Sequence, residues 1–158
     1  MRKIGFAVAG CLLLVCCGNN YKGFQKSETG LYYKFHIENI GNHVPEKDEI
    51  VFMSMGIRTE KDSLVQELKQ ITTLMQMPKF KGDIYDALSL MHEGDSAAFI
   101  INVKQYYNVY NYGQVPSFVK NEKTMLWFTI KVDSTMSYEQ YQIAMENKRR
   151  EAELVDVK

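Results

Sequence analysis

The feature that most constrains the fold is one short amphipathic helix placed between segments that alternate like β-strands. Asp83 is a good N-cap for a helix over residues 84–92, and Gly94 is suited to end it. One apolar stripe runs along this helix, formed by Ile84, Ala87, Leu88 and Met91. A helix this short is stabilised mainly by packing such a stripe on another apolar surface. We therefore expect it to lie against a β-sheet.

Strand patterns occur on both sides of this helix. Apolar and polar residues alternate over 31–38, whereas both faces are apolar over 49–55, which is typical of a central strand. Further strands are predicted at 95–103 and 124–133. Segment 64–77 fits either a short helix or a loop, followed by a strand. The order predicts an α+β fold, in which an antiparallel sheet wraps around the short helix.

The C-terminal segment, residues 135–158, has a different composition. It contains mixed charges and begins with a capping box from Ser137 to Gln140. This pattern predicts a solvated C-terminal helix that is an addition to the domain rather than part of its core.

The N-terminus has the layout of an export signal. Arg2 and Lys3 precede an apolar run over residues 4–15, and a polar segment follows. The run is 12 residues long, whereas a membrane-spanning helix needs about 20. We therefore interpret residues 1–16 as a cleaved signal peptide, with an uncleaved hydrophobic anchor as the alternative.

All three cysteines of the chain lie close to the end of that signal. The segment resembles the signals of bacterial lipoproteins, in which a cysteine receives lipid and becomes the first mature residue. Cys17 keeps the full apolar run and is followed by polar residues, so we favour it as the lipid anchor. Cys11 would leave a short signal, and Cys16 follows the bulky Val15, but both remain open. Residues 17–28 are polar and are predicted to form a tether.

Composition excludes several classes of function. The 19 basic and 19 acidic residues give a net charge of zero, which is unsuited to neutralising nucleic-acid phosphates, so no nucleic-acid partner is expected. No histidine, cysteine or carboxylate spacing suggests a metal site, and no phosphate-binding loop or nucleophile motif is present. We therefore expect no metal and no cofactor. Four tyrosines within residues 106–112, in a predicted loop, either cover the core or line an apolar groove.

Several motifs together resemble the FKBP-type peptidyl-prolyl cis-trans isomerases. They are T-G-L-Y-Y at residues 29–33, D-S at 62–63, A-L-S-L-M-H-E-G-D at 87–95, and a final strand containing Leu126 and Phe128. The third motif is similar to the family's G-L-x-x-M-x-x-G-[DE], with alanine in place of the first glycine. The resemblance covers about residues 29–134. It implies an FKBP-like fold and rotation about Xaa-Pro bonds without a cofactor.

The resemblance also implies a set of site residues. Asp62 and Tyr107 fall on positions that act in catalysis in the family. Five further positions correspond to substrate-binding residues of the family: Phe52, Phe80, Ile84, Tyr106 and Phe128. Tyr106 is also the alternative to Tyr107 if the register shifts. The sole tryptophan, Trp127, neighbours Phe128 and is expected on the opposite face of its strand.

Two functions are consistent with these features. The first is a lipid-anchored prolyl isomerase of the bacterial cell envelope, facing the periplasm and binding Xaa-Pro segments of exported or envelope proteins. The second is a catalytically weak binding module with the same groove, acting as a chaperone or as a subunit of an envelope complex.

Overall fold

The computed structural model describes residues 21–156 except 111–113, 118, 120 and 122. The predicted signal peptide and the favoured lipid anchor, Cys17, lie outside the described residues. Within them the chain forms β1 (Gln25–Lys26), β2 (Tyr32–Ile37), β3 (Glu49–Thr59), β4 (Leu64–Leu74), α1 (Ile84–Leu88), β5 (Ser96–Asn102), α2 (Val103–Tyr110), β6 (Met125–Ser137) and α3 (Tyr138–Asp156).

The six strands form one antiparallel sheet in the order β1-β2-β5-β6-β3-β4. Its core face carries alternate residues of every long strand, including Val51, Phe99, Phe128 and Ile130, all of which have no exposed surface. These side chains form one apolar cluster with the stripe of α1. We call this the inner face of the sheet and its reverse the outer face. The predicted α+β fold, with a sheet packed around a short helix, is therefore confirmed.

The start of α1 is fixed by the residue that the sequence indicates. The Asp83 carboxylate accepts hydrogen bonds from the backbone N–H groups of Tyr85 and Asp86, which satisfies two of the donors left unpaired at a helix start. The helix is shorter than predicted, because it ends at Leu88 with Ser89 as its C-cap. Met91 is nevertheless fully buried beyond that end, so the predicted stripe is correct.

Three predictions of secondary structure need correction. Segment 64–74 is a strand throughout, because its pairing with the long central strand β3 replaces the helix or loop. The tyrosine-rich segment begins as helix α2 rather than as a loop. Ile37, the last apolar residue of the alternation over 31–38, is 54% exposed rather than on the buried side, because the register of β2 against β5 shifts between Phe35 and Ile37.

Part of the predicted tether is folded. Gln25 and Lys26 form β1 and pair with the edge of β2, and the ring of Tyr21 packs edge-on against that of Tyr32 with centroids 4.8 Å apart. The polar composition of this segment concealed the pairing, because an edge strand exposes most of its side chains to water. Of the predicted tether over residues 17–28, Gln25 and Lys26 therefore belong to the sheet, and residues 17–20 lie outside the described residues.

The C-terminal helix is present where the capping box predicted it. The Ser137 hydroxyl oxygen accepts a hydrogen bond from the backbone N–H of Gln140, and α3 follows directly after β6. Its first turns contact the sheet, where Tyr141 packs edge-on against Phe52. Among the described residues, none of the helices combines the length and the hydropathy that crossing a membrane requires.

Candidate functional site

A cluster of tyrosine rings covers one end of the inner face. Helical spacing brings Tyr106 and Tyr110 to the same side of α2, and their ring centroids are 5.3 Å apart. Tyr106 also packs edge-on against Tyr107 at 5.4 Å and against Phe128 of β6 at 4.9 Å. Such edge-to-face contacts are the favoured geometry for aromatic pairs. The cluster is therefore a defined apolar surface rather than a loose aromatic loop.

A buried carboxylate connects this cluster to α1. Asp83 has no exposed surface, and one of its oxygens caps the helix. The other oxygen accepts hydrogen bonds from the backbone N–H of Lys79, at 2.6 Å, and from the Tyr110 hydroxyl, at 2.8 Å. Four donors thus compensate for the burial of a single charged group. The same carboxylate fixes the start of α1 and the end of α2.

The phenols of the cluster are held in their protonated form. Burial raises the pKa of Tyr106 to about 12, with a smaller contribution from Tyr107, and burial also raises the pKa of Tyr107. For Tyr110, burial and the hydrogen bond to Asp83 both raise the pKa. Each hydroxyl is therefore a hydrogen-bond donor at neutral pH rather than a base.

Two of these hydroxyls have no partner within the described part of the chain. Tyr110 donates to Asp83, but no protein acceptor among the described residues lies within hydrogen-bonding distance of the Tyr106 or Tyr107 hydroxyl. No buried side-chain oxygen or nitrogen of the described residues lacks a partner. Both hydroxyls must therefore reach solvent, although the Tyr107 side chain is only 8% exposed. The arrangement offers, on an apolar surface, two hydroxyl donors that no described residue uses, which suits recognition of a peptide carbonyl.

Solved structures with the same arrangement of elements identify the fold. The chain is similar to FkpA from Escherichia coli, with a TM-score of 0.54 and 16% identity over 75% of this chain and 54% of FkpA. It is also similar to a peptidyl-prolyl cis-trans isomerase from Pseudomonas syringae pv. tomato, with a TM-score of 0.58 and 15% identity. The second match covers 75% of this chain and 84% of that protein. The chain has an FKBP-like fold.

Sequence comparison alone does not reach that result. No family model matches the chain, and no curated protein sequence matches it. The described chain spans only about half the length of FkpA. The likeness is one of fold, at a level of identity where few side chains are shared, so the role of each site residue must be judged from its own surroundings.

Five of the seven predicted site residues lie on the inner side of this FKBP-like fold. Ile84 and Tyr107 are each 8% exposed, and Phe128 is fully buried. Phe80 and Tyr106 are half-buried and pack against the same apolar cluster. The structure therefore brings these five side chains into one cluster, in which the buried members contribute to the core of the domain.

The other two predicted site residues lie on the outer face. Asp62 occupies the turn between β3 and β4 with φ +62°, and its side chain is 86% exposed. It lines a cavity of about 150 Å³ together with Ala98, Trp127 and Thr129, which are outer-face residues. Phe52 packs against α3. Both residues thus lie on the face opposite the one that carries Tyr107, so the structure does not bring together Asp62 and Tyr107, the two residues that the resemblance implies for catalysis.

Two further residues of this site were not among the predicted ones. Asp83 was recognised only as a helix cap and Tyr110 only as one of several loop tyrosines. The spacing of Tyr106 and Tyr110 could have indicated a helical pair, but the hydrogen bond to Asp83 joins residues 27 positions apart and leaves no sequence signal. Among the described residues, no group of histidines, cysteines or carboxylates is arranged to hold a metal ion.

Proposed function

We propose that this protein binds Xaa-Pro segments at the surface formed by Tyr106 and Tyr107 and accelerates their cis-trans isomerisation. The observation that carries the proposal is a pair of hydroxyls without a partner among the described residues, on the half-buried ring of Tyr106 and the buried ring of Tyr107, within a fold shared with a known prolyl isomerase. The same surface has the apolar character that a proline ring requires.

The chemistry of isomerisation fits these groups. The barrier to rotation about a peptide bond is about 20 kcal/mol and arises from amide resonance. Enclosing the proline among aromatic rings removes water from the amide and favours the twisted, less polar transition state. A phenol that stays protonated, as Tyr106 and Tyr107 do, can hold the neighbouring carbonyl while the bond rotates. Neither step requires a nucleophile.

We further propose that the protein acts in the bacterial cell envelope, lipid-anchored at Cys17 and facing the periplasm. This part of the proposal is supported by the short apolar run followed by a cysteine and polar residues. Its partners would be exported or envelope proteins that pass through an unfolded state, in which slow proline isomerisation limits folding.

A second candidate, a binding module with little turnover, is favoured by one specific observation. Asp62 and Phe52 lie on the outer face, away from the tyrosine cluster, and Ile84 and Phe128 are buried in the core. The surface that remains is apolar and has hydrogen-bond donors, but no carboxylate from β3 or β4 is near it. Such a site could hold a proline segment without strongly favouring its transition state.

Exchange NMR on a Xaa-Pro peptide, combined with a binding titration, tests both candidates. The variants are Tyr106→Phe, Tyr107→Phe and the double variant, which keep the rings and remove only the hydroxyls. Tyr138→Phe on α3 is the matched control, because its side chain is 48% exposed and lies outside the cluster. If the hydroxyls hold the peptide carbonyl, the double variant should lower the exchange rate by about tenfold or more, and the control should leave it unchanged.

The possible outcomes separate the candidates. Acceleration that depends on the two hydroxyls supports the isomerase. Binding without acceleration supports the binding module and rejects the isomerase. A folded sample that neither binds nor accelerates contradicts both candidates.

Mass spectrometry of the mature N-terminus tests the location. A lipid-modified N-terminal Cys17 is expected, and Cys17→Ser should leave the precursor unprocessed. The matched variants Cys11→Ser and Cys16→Ser should be processed normally. Normal lipidation of Cys17→Ser would show that another cysteine is the anchor.

A further inference from the structure

The first described residues of the chain are fixed on the outer face of the sheet. The ring of Tyr21 packs edge-on against Trp127 of β6 at 5.7 Å, in addition to its contact with Tyr32 of β2. A turn follows at once, in which the backbone N–H of Phe24 donates to the carbonyl of Tyr21. Tyr21 is therefore held at a definite point of the outer face, as one of three half-buried aromatic rings with Tyr32 and Trp127.

Lysines surround these rings, and we call the two groups together the N-terminal patch. Its aromatic members are Tyr21, Tyr32 and Trp127, and its basic members are Lys22, Lys26, Lys34, Lys61 and Lys123. The ammonium group of Lys26 lies 5.3 Å from the centre of the Tyr32 ring. Lys61 and Lys123 line a cavity of about 560 Å³ with Tyr21 and Trp127, in which Glu60 is the one carboxylate among the described lining residues.

The charges of this patch are not neutralised within the described part of the protein. None of its five lysines forms an ion pair with a described carboxylate. By contrast, Arg58, which lies directly opposite Trp127 in the sheet, is paired with Asp62, and Lys131, farther along the outer face, is paired with Asp133. Against the five lysines, Glu60 lines the same cavity as Lys61 and Lys123, and Glu38 lines a cavity with Lys34. The patch therefore keeps an excess of positive charge on a chain whose basic and acidic residues balance, and it suits an anionic surface.

The length of chain between the patch and the proposed anchor limits where the patch can lie. Only residues 18–20 separate Cys17 from Tyr21. Four steps between consecutive Cα atoms span at most about 14 Å even when fully extended, which is less than the diameter of a small domain. A domain held this closely must bring the side that carries Tyr21 towards the bilayer.

We propose that the N-terminal patch docks on the surface of an anionic phospholipid bilayer. This inference rests on the proposed lipid anchor at Cys17. Tyrosine and tryptophan rings favour the interface between headgroups and acyl chains, and each lysine near an anionic membrane strengthens adsorption by about fivefold.

Docking through this patch orients the tyrosine cluster. Trp127 and Phe128 are neighbours on β6 and point to opposite faces, because Phe128 is fully buried on the inner face. If the end of the outer face that carries the patch lies on the membrane, Tyr106 and Tyr107 on the inner face point away from it. The proposed peptide site is then open to chains in the periplasm.

The sole tryptophan provides a direct test. The mature protein, lipid-modified at Cys17 as confirmed by mass spectrometry, is inserted into vesicles of phosphatidylcholine alone or mixed with phosphatidylglycerol. A fraction of the phospholipid carries bromine on its acyl chains and quenches tryptophan fluorescence by contact. We expect quenching of Trp127 in the mixed vesicles, reduced by salt and weaker without phosphatidylglycerol, because the basic patch drives the docking.

Charge reversal identifies the surface responsible. Lys22→Glu, Lys26→Glu and Lys34→Glu together should reduce the quenching by about threefold or more. The matched control reverses Lys148, Arg149 and Arg150 to Glu on α3, which follows the opposite end of β6, and should leave the quenching unchanged. Circular dichroism on both variants establishes that the fold is intact.

Three results would overturn the inference. They are the absence of Trp127 quenching in mixed vesicles, equal quenching in both kinds of vesicle, and equal loss in the patch variant and the control. A protein that lacks lipid on Cys17 would also overturn it, and mass spectrometry would reveal this before any vesicle is prepared. Isomerisation and peptide binding are measured without vesicles, so failure of docking is distinguishable from failure of the proposed site.

Discussion

The two faces of the sheet cover their apolar surface in different ways. On the inner face, α1 and α2 bury Phe99 and Phe128 completely. On the outer face, Ile100 is only 2% exposed, but its strand neighbours are Tyr32 and Trp127, which are half-buried rings beside the short N-terminal segment. The inner face therefore depends on dense packing and on buried carboxylates with several hydrogen bonds, whereas the outer face tolerates exposed and charged neighbours.

The largest expected effect comes from opening the inner face. Phe128→Ala removes a ring with no exposed surface that packs under Tyr106, and we expect it to lower the free energy of unfolding by about 3–5 kcal/mol. The matched outer-face variant, Trp127→Ala, should cost about half as much because its side chain is already partly solvated. Chemical denaturation measures both. Equal losses would show that the two faces do not differ as described.

Removing the buried carboxylate that joins α1 and α2 should come next. Asp83→Ala removes the helix cap and leaves the Tyr110 hydroxyl without an acceptor, so we expect a loss of about 2–4 kcal/mol. Tyr110→Phe removes one bond to the same carboxylate and should cost about 1.5 kcal/mol. In a double-mutant cycle the two losses should be less than additive. Additive losses would contradict a direct hydrogen bond.

A second buried carboxylate makes stability depend on pH. Burial alone raises the pKa of Asp95, but hydrogen bonds from His92 and Asn39 outweigh it and leave the pKa below 3.8, its ordinary value. Because the folded-state pKa is the lower one, this stabilisation is present above about pH 4 and is lost as the pH falls through the folded-state pKa.

Asp95→Asn should therefore destabilise the protein by about 1.5 kcal/mol at neutral pH and flatten the loss of stability on acidification. Thermal unfolding at a series of pH values checks this. Asp133→Asn, at a surface ion pair with Lys131, is the control and should change the profile little. An unchanged acid profile in the Asp95 variant would show that other carboxylates dominate.

The smallest effect is expected where α3 meets the outer face. Phe52→Ala removes one edge-to-face contact with Tyr141, and we expect it to lower the free energy of unfolding by about 1 kcal/mol. Exchange NMR should find isomerisation unaffected, because Phe52 and the tyrosine cluster lie on opposite faces. A large loss of activity without unfolding would show that Phe52 contributes to substrate binding, as the family resemblance implied.

The sequence was most informative where the signal is local. Asp83 and the stripe of α1 predicted the helix start and its buried face, and alternation in β2, β5 and β6 predicted the sheet. The sequence was least informative where pairing with a neighbouring strand, rather than local preference, decides the secondary structure. Strand β4 is the example, because its residues suit a helix as well as a strand. The short β1 was missed for a related reason, because two exposed residues form a strand only when an edge is available to them.

For the candidate site, the family motifs predicted which residues belong to it but not which face of the sheet each residue occupies. Strand alternation was sufficient to predict that Phe128 and Trp127 point to opposite faces of the sheet. Alternation could not predict the face on which Asp62 lies, because Asp62 is in a turn. Its direction depends on its own left-handed backbone conformation and on the length of the β3–β4 hairpin. A shift of one residue in a strand moves a side chain to the other face, so a motif aligned by sequence alone can assign a residue to the wrong side.

By itself, therefore, the sequence determined the class of fold, the capped helix and the apolar strands, because each depends on residues that are close along the chain. Only the tertiary structure decided that Tyr110 bonds to Asp83, that Asp62 and Tyr107 lie on opposite faces, and that Tyr21 is fixed beside Trp127. These relations join distant parts of the chain, and they arise only when the sheet brings those parts together.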